Sequence, residues 1–190
     1  MTDDPDTTVE RATEDLALDG IKIHLPQGIN ANDYREDPDT RGLAGLRVLY
    51  ERCEQAGIPI MIHTGTSIIP DARSRCADPM PIDDIAVDFP NLPIVMAHGG
   101  RPMYTDEAWF LLYRHENVFL DISSFPPQNL FEYFPEINRV ADRVLFGSDW
   151  QDKWFPISEP ISRRFKTSSC HNILSMQFCA AMQIDYMTYE

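Results

Sequence analysis

Three polar residues of this 190-residue chain, His63, His98 and Asp149, close short apolar runs in the same way. Ile60-Met61-Ile62 leads into His63, Ile94-Val95-Met96-Ala97 into His98, and Val144-Leu145-Phe146-Gly147-Ser148 into Asp149. Neutral imidazole and carboxylate are ligands for a divalent ion such as Zn or Mn, and an ion with an open coordination position can activate water. A single histidine at the end of an apolar run is more often structural; three such residues on separate runs weaken the case for coincidence. Lys22 and His24 close a fourth run and share a face by period-two alternation, and Asp121 closes a fifth. Lys22 reads either as a cation at the site or as a buried stem with a solvated head. His115, at an expected helix end, reads as a charge that complements the helix dipole. Gly99-Gly100 is too short for a phosphate-binding fingerprint and suits a tight turn.

These residues need elements to position them. Strands are predicted at Ile21–Leu25, Pro59–Gly65, Pro93–Gly100, Val118–Ser123 and Val144–Asp149. Thr7-Thr8-Val9-Glu10 fits a capping box. Leu43, Leu46, Leu49, Tyr50 and Cys53 are spaced for a helix that Gly57 ends, and further helices are predicted at Pro81–Phe89 and from a Thr105 cap to about His115. Helical turns are expected near Asn129–Phe134 and Glu136–Asp142. Five apolar strands separated by helices imply a parallel sheet, either an open α/β layer or part of a barrel. In both, ligands bind at the C-terminal ends of the strands, where the polar tips fall.

Composition narrows the partners. A net charge of −14 argues against nucleic acid and anionic membrane. No run of about 18 apolar residues appears, the N-terminus is acidic, and the four cysteines lack close spacing, which together suit a cytoplasmic protein with reduced thiols. The charge is unevenly spread: residues 151–190 hold four basic and four acidic residues and none of the 9 glycines, so the whole excess of acid lies in residues 1–150.

Gly20-Ile21-Lys22-Ile23-His24, Pro59 through Gly65, Asp88 through Gly100 and Leu145-Phe146-Gly147-Ser148-Asp149-Trp150 resemble, in order and spacing, the amidohydrolase-related family. This is a group of metal-dependent TIM-barrel hydrolases that includes aminocarboxymuconate-semialdehyde and resorcylate-type decarboxylases. The resemblance covers nearly all of residues 1–150 and implies a partial (β/α)8 barrel containing strands four to eight. It makes His63 and Asp149 metal ligands on strands five and eight, and His98 on strand six the catalytic histidine, with Asp149 also a proton acceptor. Lys22, Asp121 and Arg73 are weaker, substrate-side candidates. Arg73 and Arg75 lie in the loop Thr66–Met80, expected to overhang the site. The implied metal is Zn foremost, with Mn second.

The family's first strand ends in His-x-His, and this chain has no His-x-His. Its 190 residues also compare with about 250 for a full barrel. Strands one to three are therefore expected to be absent, leaving open sheet edges and a dependence on a homo-oligomer or on a partner chain that supplies them. The tail reads as a frameshift: loss of one base from a proline codon creates Gln151, and the restored frame reads Trp154–Lys166 as VSDIRANIEAFQ and Met176–Tyr189 as DAILRGNANRLYDV. Cys170, His171 and Cys179 are accordingly assigned no chemistry. The expected activity is metal-assisted hydrolysis of a C–N or C–O bond, or non-oxidative decarboxylation of a small carboxylate, impaired by the missing ligands. The alternative is a non-catalytic fragment or split-chain subunit. A phosphoesterase is a weaker third reading, since no Arg/Lys/Gly cluster for phosphate is evident.

Overall fold

Apolar residues at alternate positions build five parallel strands: β1 Ile21–Ile23, β2 Ile60–His63, β3 Ile94–Ala97, β4 Val118–Asp121 and β5 Val144–Leu145. The structure, a computed structural model, describes residues 9–11, 19–24, 30–35, 44–67, 70, 72–147 and 149. Thr7 and Thr8 of the expected capping box, and the tail 151–190 with its frameshift reading, lie outside the described residues.

Each strand pairs with the next in the order β1-β2-β3-β4-β5, all parallel. A doubly wound sheet reverses its order about an early strand, whereas a barrel winds one way. The sheet is thus a five-strand portion of a (β/α)8 barrel. The strands are shorter than the sequence predicts because their polar tips leave the ladder. At β3, His98, Gly99 and Gly100 take φ of 67°, 48° and 71°, which ends the strand at Ala97.

The two faces of the sheet do different work. Ile60, Ile62, Ile94, Met96, Val118, Leu120 and Val144 join the core cluster with the apolar stripes of the helices. Those helices are α1 Ala44–Ala56, α2 Pro81–Asp88 and α3 Thr105–Arg114. The register puts Lys22, Met61, Val95 and Phe119 side by side on the opposite face, the barrel interior. Leu46, Leu49, Tyr50 and Cys53 form the buried stripe of α1 as their spacing predicts. Gly57 closes it at φ 67°, with Gly57 N–H bonded to the Glu54 carbonyl and Ile58 N–H to the Cys53 carbonyl, the paired bonds of a Schellman turn.

One local expectation fails. The residue preceding α3 is Tyr104, whose carbonyl accepts Ala108 N–H, and no side chain caps the helix; Thr105 already lies inside it, beside Asp106 and Glu107, whose charges suit the first turn. The helical turns expected near Glu136–Asp142 are present as a 3-10 stretch, Ile137–Arg143, kinked at Val140. Between β4 and β5 the chain also forms the short helix α4, Leu130–Tyr133. No helix among the described residues is long and apolar enough to cross a membrane, and Cys53 and Cys76 are free thiols.

Candidate active site

The register brings the strand tips level: His63 lies beside Ala97, and Ala97 beside Asp121. His63 and His98 meet with ring centroids 5.0 Å apart, and Asp149 Oδ2 lies 3.9 Å from His98 Nδ1. Three residues distant in sequence are therefore gathered at one end of the sheet. His24, which the sequence gives as a strand tip sharing a face with Lys22, joins them with its ring 4.2 Å from that of His63. His98, Ser124 and Asp149 are the non-glycine residues at positive φ among those described, at 67°, 63° and 47°. Such backbone is costly and concentrates where side chains must be aimed.

Contacts between the tips hold this geometry. The Thr64 hydroxyl donates to the Ala97 carbonyl at 2.7 Å and accepts Gly100 N–H at 3.1 Å, stitching β2 to the turn after β3. Thr66 N–H donates to the Arg101 carbonyl at 2.8 Å. A Cβ at Gly65 would lie 3.0 Å from that same carbonyl, so the close approach of the two loops suits glycine. Ser123 bonds both Asp121 and His98 Nδ1, at 2.5 and 2.8 Å, and Ser124 Oγ donates to Asp149 Oδ2 at 2.8 Å. Thr64, Ser123 and Ser124 were missed by sequence reasoning. For Ser123 a signal existed: Asp121-x-Ser123 places both on one face of an extended strand.

The remaining candidates fall at different places. Lys22 is half-buried on the interior face of β1 and acts electrostatically on His24, His63 and His98. Arg73 lines a shallow recess, open to solvent, with His63, Gly65, Ser67, Ser74 and Cys76. Arg75 is exposed on the 3-10 turn Ser74–Ala77 and does not line it. Asp121 is only 6% exposed, and both its oxygens accept internal donors. His115 binds Asp83 of α2 at 2.7 Å. Arg101, absent from the sequence-based list, follows the His98 turn; its Nε–H is buried without a partner among the described residues.

Burial sets the charge state of the cluster. It presses His63 down to about 3, reinforced by His24, His98 and Lys22. Burial likewise lowers His24 and His98, against the opposing pull of Asp149 on both and of Asp121 on His98. A folded-state value below the unfolded value of about 6.5 means that the unfolded chain binds protons more readily. Stability from a neutral His63 is therefore complete above about pH 6.5 and is lost as pH falls toward about 3. Urea midpoints should fall across that window, and fall less steeply in His63→Asn; parallel curves for the two proteins would refute the assignment.

Imidazoles held neutral beside a carboxylate are the donors a divalent ion takes. The donors fit such an ion in kind. No group of three His, Cys, Asp or Glu among the described residues is disposed to hold one ion.

Comparison with known proteins agrees with the fold. An uncharacterised TIM-barrel protein of Bordetella bronchiseptica is 27% identical, with a TM-score of 0.53 over 72% of this chain and 46% of that one. A Lactobacillus casei protein proposed to be a metal-dependent hydrolase is 19% identical, with a TM-score of 0.59 over 75% and 44%. Dihydroorotase of Campylobacter jejuni is 22% identical, with a TM-score of 0.50 over 78% and 48%. The chain thus spans about half the length of these solved structures. No curated protein matches it. The sequence model of the amidohydrolase family matches residues 1–161, and on that match this chain belongs to the amidohydrolase family.

Proposed function

We propose that this chain carries part of the active site of a metal-dependent hydrolase or non-oxidative decarboxylase acting on a small carboxylate. The observation that carries the reading is the meeting of His63, His98 and Asp149 at the C-terminal strand ends. A divalent ion, Zn foremost and Mn second, would be held by His63 and Asp149 and would supply Lewis acidity when bound. His98 then serves as the group that gives or takes a proton at Nε2, the ring nitrogen left free by its Nδ1 bond to Ser123. Asp149, steadied by Ser124, is a second proton acceptor. Lys22, Arg73 and the half-buried Arg101 place positive charge near His63 and His98, suited to a substrate carboxylate.

A second reading is a non-catalytic fragment or a split-chain subunit completed by another copy or a partner. It is favoured by the absence, among the described residues, of any group of three His, Cys, Asp or Glu disposed to hold one ion. Metal titration separates the two. Under the first reading the purified chain takes up Zn or Mn near stoichiometrically, and His63→Ala and Asp149→Ala each weaken uptake by more than about 100-fold, since even removal of a ligand's supporting partner costs 10–100-fold. Absence of binding by the wild-type chain selects the second reading.

A further inference from the structure

We propose that Ser123, anchored by Asp121, is a positioning residue that fixes His98 as the Nδ1–H tautomer and leaves the Nε2 lone pair directed away from the sheet's hydrogen-bond network. The argument is one of proton counting. Asp121 accepts Ser123 N–H on Oδ1 at 3.1 Å, while its Oδ2 faces His98 N–H at 3.4 Å and the Ser123 hydroxyl at 2.5 Å. Both oxygens face donors, so the carboxylate takes the single hydroxyl proton of Ser123. The Ser123 oxygen is then an acceptor, and His98 Nδ1, 2.8 Å away, must bring the proton to that bond. Asp149 Oδ2 also faces Nδ1, but at 3.9 Å it is too distant to decide the tautomer.

The same chain of bonds fixes the ring in space. His98 is 5% exposed, Asp121 6% and Ser123 3%, so none of the three can exchange its partner for bulk water at little cost. Asp121 holds His98 twice, through its backbone N–H directly and through its ring by way of Ser123. This stabilises the left-handed backbone of His98, at φ 67°, and the ring orientation together. A histidine oriented through its Nδ1 by a hydroxyl–carboxylate pair is prepared to act through Nε2, as an acid or base needs.

The inference deepens the proposed function and rests on it only for what Nε2 does; the tautomer itself can be read without metal or substrate. Long-range nitrogen–proton NMR of the histidine-labelled chain at neutral pH distinguishes a pyrrole-type from a pyridine-type nitrogen at each position. In the wild type His98 should show a pyrrole-type Nδ1 and a pyridine-type Nε2, with the Nδ1–H form favoured by about tenfold, the ratio one ordinary hydrogen bond sustains. Ser123→Ala should abolish that preference and move His98 toward the Nε2–H form that isolated imidazole favours. Ser123→Thr, which keeps the hydroxyl, should restore the wild-type pattern, and unchanged signals from His24 and His115 report that each variant is folded. An Nε2–H form in the wild type, an unchanged tautomer in Ser123→Ala, or the same shift in both variants would overturn the proposal. Failure of metal binding would instead count against the proposed function and leave the tautomer standing.

Discussion

Replacing Gly99 by Ala should destabilise the fold by about 2–5 kcal/mol and displace the His98 turn. Gly99 sits at φ 48°, where an L side chain costs about 1–2 kcal/mol. A Cβ there would meet Leu120 Cδ1 at 2.7 Å, with Phe134 Cζ at 3.2 Å and Phe125 Cε2 at 3.3 Å. Leu120 and Phe134 are fully buried, so neither can swing into solvent, and overpacking a closed core adds about 1–3 kcal/mol. Gly57 is the internal control. Its φ of 67° is similar, yet nothing lies within 4 Å of its Cβ position, so Gly57→Ala should carry only the conformational part, about 1 kcal/mol. Urea midpoints at constant m-value measure both. Equal losses would show that packing around the His98 turn matters less than its backbone. Because Gly99 adjoins His98, the same variant should also disturb the 5.0 Å approach of His98 to His63, which shows as changed ring signals of both.

Much of this arrangement was legible because it depends on local pattern. Alternating apolar residues announce the strands, and a polar residue after each run announces the tips, so His63, His98 and Asp149 could be named before the fold was known. The Schellman turn at Gly57 is equally local. What escaped the sequence depends on where one tip meets another. Nothing in the spacing of Thr64 says that it bonds Ala97 and Gly100, 33 and 36 residues away. His115 was read as a helix-dipole charge, but its partner is Asp83, 32 residues earlier on α2. His24 was visible as a strand tip, yet its approach to His63 follows from the pairing of β1 with β2. Thr105 had the composition of a cap, and the chain begins the helix one residue earlier, with backbone from Tyr104. Arg101 offers no pattern at all; its buried Nε–H becomes evident only when the loops after β2 and β3 close around it.

Arg143→Met should cost about 2–4 kcal/mol. The two N–H groups of Arg143 Nη1 face three backbone carbonyls, of Leu112 at 2.6 Å, His115 at 2.7 Å and Val118 at 3.0 Å, so one N–H is shared. Leu112 lies in the last turn of α3, His115 is the residue at which the helix ends, and Val118 opens β4. Helix-end carbonyls have no partner within the helix, and a cation there also meets the negative end of the dipole. One side chain thus terminates α3, sets the start of β4 and ties both to the 3-10 turn that delivers β5 and Asp149. Methionine keeps much of the apolar stem but removes the charged donor these carbonyls share, and the His115 carbonyl keeps only the long bond from Val118 N–H at 3.4 Å, a loss of about 1–3 kcal/mol before the helix-dipole contribution. Arg139 gives the comparison: it pairs with Glu136 at 2.8 Å on the surface, and Arg139→Met should change stability by no more than about 0.5 kcal/mol. The three bonds converge on one nitrogen and do not use the planar fork of the guanidinium, so Arg143→Lys, with three donors on a single ammonium, should recover a measurable part of the loss. Equal urea midpoints for the Arg143→Met and Arg139→Met proteins would show that the carbonyls find other donors and that the junction between α3 and β4 does not depend on this residue.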